Sequence, residues 1–100
     1  MVTAQVLQPS GVLDATLGAR LRDQVVEALA ASPTAVLIDM EGITFMDSSG
    51  FGALVMVLKR SREAGCRLAL GRPNSQVRLV LELTGTDRVF ELVDDPEGFS

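Results

Sequence analysis

Residues Val36–Gly52 read VLIDMEGITFMDSSGFG, and the fold follows from how that stretch divides. Val36, Leu37 and Ile38 are consecutive, apolar and largely β-branched. Such an unbroken run suits a strand buried on both faces of a parallel or mixed sheet, because a strand with one wet face would alternate. Asp39, Glu41 and Gly42 end it, and Ile43–Met46 reads as a connecting loop with an apolar surface. Asp47-Ser48-Ser49-Gly50 then supplies the side-chain acceptors that start a helix, which is expected from about Ser49 to Ala64. Leu54, Val55 and Leu58 are its apolar members. Lys59, Arg60 and Arg62 crowd its last turns, a solvated end where positive charge suits the macrodipole, and Gly65 is placed to cap it.

Working toward the N-terminus, Ala35 is preceded by Ser32 and Pro33, which stop a helix. That helix starts at Asp14, an N-cap candidate, and repeats Leu17, Leu21, Val25 and Leu29 every four residues. Ahead of it Val12-Leu13 makes a short strand, Pro9-Ser10-Gly11 a turn, and residues 4–7 a first strand. Toward the C-terminus, Arg67–Leu70 reads as a strand and Gly71–Asn74 as a turn. Ser75 is the expected cap of a third helix whose Val77, Val80, Leu81 and Thr84 share a face and which Gly85 ends. Val89–Val93 reads as the last strand, and Asp94–Gly98 as a polar tail with at most a short final turn. The order is ββαβαβαβ: an α/β fold with helices packed on a sheet. The hairpin-like first two strands make that sheet a mixed one.

The whole chain is 100 residues, the size of one small domain. It is 47% hydrophobic and 22% charged, without tryptophan or tyrosine, so its core must be aliphatic. Histidine is absent and cysteine occurs once. That removes Ser-His-Asp and Cys-His catalysis, imidazole and thiolate zinc sites, and an internal disulfide. A net charge of −4 argues against sequence-independent nucleic-acid binding, which runs on Lys and Arg. Met1–Pro9 carries neither the basic start nor the apolar run of a signal peptide, and no apolar run approaches bilayer length. One free thiol fits a reducing cytoplasm. Cys66, at a strand start, is expected to be a buried small hydrophobe.

In open α/β sheets, ligands bind where a strand's carboxyl end meets a helix N-terminus, so chemistry is expected at Ile38–Gly52. Asp47, Ser48 and Ser49 are sufficient as plain helix caps. A nucleophile elbow needs glycine two residues before its serine, but Met46 precedes Ser48 at that distance and Asp47 precedes Ser49. A phosphate loop needs Gly-Lys-Ser/Thr, which is missing. A further reading, beside the plain cap, makes the serine a substrate: a hydroxyl at an exposed helix start is open to a kinase, and its phosphate adds about −1.5 to −2 charge.

Phe45-Met46-Asp47-Ser48-Ser49-Gly50-Phe51-Gly52 resembles the signature of the STAS domain, specifically bacterial anti-sigma-factor antagonists. Gly11-Val12-Leu13-Asp14, Val36-Leu37-Ile38-Asp39-Met40, and Leu81-Glu82-Leu83-Thr84-Gly85 followed by Val89-Phe90 are similar to other parts of that family, in the same order. Phe51 stands where leucine is common, Thr86 follows Gly85 where an apolar residue is frequent, and the usual C-terminal helix is short or missing after Val93.

The resemblance implies a single STAS domain over residues 1–100 that is not an enzyme and carries no cofactor, catalytic residue or metal site. It implies partner switching in the cytoplasm. The unphosphorylated form would bind an anti-sigma factor that is also a serine kinase. Phosphorylation at Ser48 would block binding, and a serine phosphatase would reverse it. Asp14, Thr44, Met46, Asp47, Ser49, Gly50, Phe51 and Gly52 are the expected partner-binding residues, with Met46 and Phe51 on the surface and Leu54 in the core. The expected state is a monomer without nucleic-acid or membrane contacts, and phosphate is expected to block the interface directly rather than refold it. Kept beside this are a STAS module with a non-sigma output, a nucleotide or lipid sensor at the same helix start, and a small enzyme using Asp14, Asp47 and Ser48.

Overall fold

The computed structural model describes residues 4–96; the last part of the expected polar tail, Glu97 and Gly98, lies outside them. In chain order the elements are β1 (Ala4–Leu7), β2 (Gly11–Leu13), α1 (Ala15–Ala30), β3 (Ala35–Asp39), β4 (Ile43–Met46), α2 (Ser48–Glu63), β5 (Arg67–Gly71), α3 (Ser75–Thr84), a 3-10 turn (Thr86–Arg88) and β6 (Glu91–Val93). The order is ββαββαβαβ, one strand more than expected.

Four strands form one sheet in the order β1-β3-β5-β6, while β2 and β4 form a separate two-stranded ribbon. Every pairing is parallel, which corrects the expectation of a mixed sheet. The Pro9-Ser10-Gly11 turn does not fold β2 back on β1. Gly11, at φ 99°, instead donates its N–H to the Gly42 carbonyl at 2.9 Å and carries β2 alongside β4. Each of the first two crossovers, β1 to β3 and β3 to β5, therefore contains a short strand and then a helix. The ribbon joins the two crossovers.

β3 is central and buried along its whole length. Val36 and Ile38 enter one apolar cluster with Leu68 and Leu70 of β5, Leu21 and Val25 of α1, Leu54 and Val57 of α2, and Val77 and Leu81 of α3. Leu37 and Ala69, on the opposite face, are fully buried as well, so the unbroken apolar run has the cause assigned to it. Leu13, Met40, Ile43, Met46, Cys66 and Phe90 complete the cluster.

Helix ends follow local chemistry with small shifts. Asn74, not Ser75, caps α3, its side chain accepting from the Val77 N–H at 2.9 Å; Ser75 is the first helical residue. Gly85 closes α3 at φ 74°, a left-handed conformation that costs glycine little. Ala64 is the C-cap of α2, with Gly65 just beyond it. Thr84 is exposed rather than on the buried face, its hydroxyl donating to the Val80 carbonyl at 2.8 Å. The last strand starts two residues later than expected because Thr86–Arg88 coils first.

Candidate functional site

The ribbon decides what the helix starts do. Its register sets Leu13 opposite Met46, and each strand runs straight into an aspartate that caps the next helix. Asp14 accepts from the Leu17 N–H at 2.9 Å, and Asp47 from the Gly50 N–H at 2.8 Å. The junctions are tied together by the Asp47 N–H, which donates to the Leu13 carbonyl at 3.2 Å. The N-termini of α1 and α2 thus lie side by side, and their positive dipole ends emerge on one surface. Two glycines make this approach possible. A Cβ on Gly50 would stand 1.9 Å from the Leu13 carbonyl oxygen, and one on Gly18 would stand 2.8 Å from Ala53 Cβ.

Ser48 is the first residue of α2 and is exposed. Its hydroxyl makes no hydrogen bond among the described residues, whereas the carboxylate before it is engaged in the cap. With no histidine in the chain, no imidazole can raise this hydroxyl to a nucleophile. The arrangement offers an unencumbered oxygen that another protein can reach. Ser49 beside it is exposed too.

The expected binding residues divide into two groups. Asp14, Thr44, Asp47, Ser49, Phe51 and Gly52 are exposed or half-buried. Met46 does not belong to that surface: it is 1% exposed and part of the core. Reading Ile43–Met46 as a loop lost the side-chain direction. In β4 it is Ile43 and Met46 that point inward and Thr44 and Phe45 outward. Phe45 pairs across the ribbon with Val12, and both are about half exposed. Phe51 is half-buried against the core. Gly50 is buried, and the room it leaves is taken by Leu13 rather than by a partner. Leu54 is core, as expected.

Two residues that sequence reasoning passed over hold the site from behind. The Gln76 carboxamide accepts from the Met46 N–H at 2.8 Å and donates to the Met46 carbonyl at 2.9 Å. Asn74 donates to the carbonyls of Ile43, at 3.1 Å, and Thr44, at 3.2 Å. Asn74 could have been found as a cap competing with Ser75. Gln76 carries no local signal, because its contact exists only once α3 is docked against β4.

At the carboxyl end of β3, Asp39 is buried and accepts from the Arg72 guanidinium at 2.8 Å, the Glu41 N–H at 3.1 Å and the Gln8 amide at 3.5 Å. Burial alone pushes its pKa up, but the Arg72 hydrogen bond and charge, with the Glu41 and Gln8 donors, outweigh it and leave the carboxyl below its ordinary range. Arg72 also reaches Glu41 at 2.6 Å, so this cluster pins the turn leading to β4. Burial pushes the Cys66 thiol pKa up, consistent with a packing role. Among the described residues, no group of three or more acidic, cysteine or histidine side chains is placed to hold a metal ion, and no helix is long and apolar enough to cross a membrane.

Comparison with known proteins agrees with this geometry. The anti-sigma-F factor antagonist RsfB of Mycobacterium tuberculosis is 28% identical over 87 residues, which are 87% of this chain and 70% of that protein. A candidate anti-sigma factor antagonist of Thermotoga maritima is 41% identical over 59 residues, 59% of this chain. The matched stretch spans half the length of that relative. A crystal structure of a T. maritima protein so described superposes with a TM-score of 0.85 at 25% identity, covering 94% of this chain and 81% of that one. The STAS domain model matches residues 3–98, taking in both capped helix starts, the ribbon between them and the sheet behind, and the chain belongs to the STAS domain family.

Proposed function

We propose that this chain is an anti-sigma factor antagonist that works by partner switching and performs no chemistry of its own. The observation that carries the reading is the free, exposed Ser48 hydroxyl at the first position of α2, next to a cap aspartate locked in place. The antagonist relatives support it. In its unmodified form the chain binds an anti-sigma factor that is also a serine kinase, through the surface around Ser48 that includes Asp14, Thr44, Asp47, Ser49, Phe51 and Gly52. The kinase phosphorylates Ser48, and a phosphatase restores the hydroxyl. The setting is the cytoplasm and the chain acts as a monomer.

The energetics favour a blocked interface over a rearranged fold. A phosphate at a helix N-terminus gains about 0.3–1 kcal/mol from the dipole, whereas moving an equilibrium from 1:99 to 99:1 takes about 5.5 kcal/mol. A divalent phosphate about 6 Å from a carboxylate, on Asp47 or on an acidic partner, is repelled by on the order of 1 kcal/mol in water and about 5 kcal/mol at an effective dielectric near 20. Burying it without a cation costs more. An interface that closes over Ser48 excludes water and works at the lower dielectric, so it is the complex that phosphate destabilises most.

Intact-mass spectrometry after incubation with ATP and a lysate of the host tests the acceptor. The wild type gains one phosphate and Ser48→Ala gains none. A wild type that stays unmodified, or a variant that still gains phosphate, sinks the reading.

A further inference from the structure

We infer that Gln76 is the positioning residue of the switch, its carboxamide fixing the peptide that presents Asp47 and Ser48. β4 is paired with β2 along one edge only. On its other edge the N–H and carbonyl of Met46 have no strand to meet among the described residues, and Gln76 supplies both partners, at 2.8 and 2.9 Å. A carboxamide sets a donor and an acceptor side by side without charge, so it stands in for the missing strand at that one residue. Asn74, from the same end of α3, takes the carbonyls of Ile43 and Thr44.

The Met46 side chain is anchored in the core, so its peptide is gripped from both directions. The next N–H, that of Asp47, is held by Leu13, and the Asp47 carboxylate is held by Gly50. Ser48 therefore hangs from a run of fixed peptides whose outer support at Met46 is one side chain on a different helix. A misplacement of about 1 Å in a reacting group costs on the order of 100-fold in rate, so the Gln76 fork matters to phosphoryl transfer although it touches neither serine nor kinase.

For its functional half this inference rests on Ser48 being the acceptor, and the test separates the two. Gln76→Met keeps length and helix propensity and removes both hydrogen bonds. Amide exchange is followed for Met46–Gly50 and, as a control on folding, for β3 and β5. Kinetics of Ser48 phosphorylation by the cognate kinase are measured in parallel. The Met46 and Gly50 N–H groups should exchange at least about tenfold faster with β3 and β5 unchanged, and kcat should fall about tenfold or more. A merely structural loss lowers the folded fraction, which raises KM and leaves kcat alone. Unchanged exchange at Met46 and Gly50, equal acceleration everywhere, or an unaltered kcat each overturns the proposal. Should the wild type take no phosphate at Ser48, the partner-switching reading falls, and the exchange comparison still decides whether Gln76 holds the start of α2.

Discussion

Replacing Gly50 by alanine puts a methyl group where the backbone of β2 already stands. The added Cβ would lie 1.9 Å from the Leu13 carbonyl oxygen, 2.6 Å from its carbon and 2.8 Å from Leu13 Cγ. Contacts of this kind are comfortable only near about 3.5–4.0 Å, so α2 and β2 must part by more than about 1 Å. The separation breaks the Asp47–Leu13 backbone hydrogen bond. Overpacking costs about 1–3 kcal/mol, toward the upper end here because the obstacle is backbone. The lost bond adds about 0.5–1.5 kcal/mol, and alanine's better helix propensity returns about 1 kcal/mol. The net is a destabilisation of about 3 kcal/mol, a large part of the roughly 5–15 kcal/mol available to a domain. Gly52→Ala is the matched control. It lies two residues further along the same helix, is exposed, and a Cβ there meets nothing within 4 Å among the described residues, so the propensity gain stands alone and the variant is more stable by up to about 1 kcal/mol. Urea unfolding of both variants, with the slope checked against wild type, measures the contrast. A Gly50→Ala variant as stable as Gly52→Ala would show that α2 is not seated against β2 as described.

Asp47→Ala removes the cap bond to Gly50 and should cost about 1 kcal/mol in the same assay. Arg72→Met leaves the Asp39 carboxylate buried without its cation. In the wild type the Asp39 pKa is depressed, so its contribution is present above the unfolded value, about 3.9, and is lost as pH falls through the folded one. In the variant, burial acts unopposed by Arg72 and the dependence weakens or reverses. The stability gap between the two proteins should therefore widen as pH rises through the carboxylate range and level off above it; a gap constant from about pH 3 to 6 contradicts the role given to Arg72. Cys66 is 7% exposed with a raised thiol pKa, so Ellman's reagent should label it at least about tenfold faster in denaturant than in buffer. Equal rates would place it on the surface.

Sequence pattern reached those parts of the fold whose cause is local. The apolar run of β3, the aspartate cap of α1 and the glycine stop of α3 each depend on residues within one turn or one strand; at α2 the same local pattern allowed Asp47, Ser48 or Ser49 as the cap, and Asp47 is the one used. The ribbon was illegible for a physical reason. β4 has buried residues at its two ends, Ile43 and Met46, with Thr44 and Phe45 exposed between them, a spacing that breaks the alternation of a strand and, over four residues, is too short to define a helix. Its partner β2 lies some thirty residues away, and their register shifts between Gly11 and Val12. Missing the strand put Met46 on the surface instead of in the core and left Gly50 facing a partner instead of Leu13. Gln76 and Asn74 were invisible as supports because an amide declares its partner only when two elements have docked.

In the proposed switch, one phosphate on Ser48 decides whether the chain binds its anti-sigma kinase, while the fold stays as it is. Calorimetric titration of that kinase with the unmodified and the Ser48-phosphorylated chain tests it most directly, with unfolding curves of both forms run beside it. The expected result is a Kd weaker by about 100-fold or more on phosphorylation, equivalent to about 2.7 kcal/mol, with the two unfolding midpoints nearly coincident. Equal affinities for the two forms would contradict it.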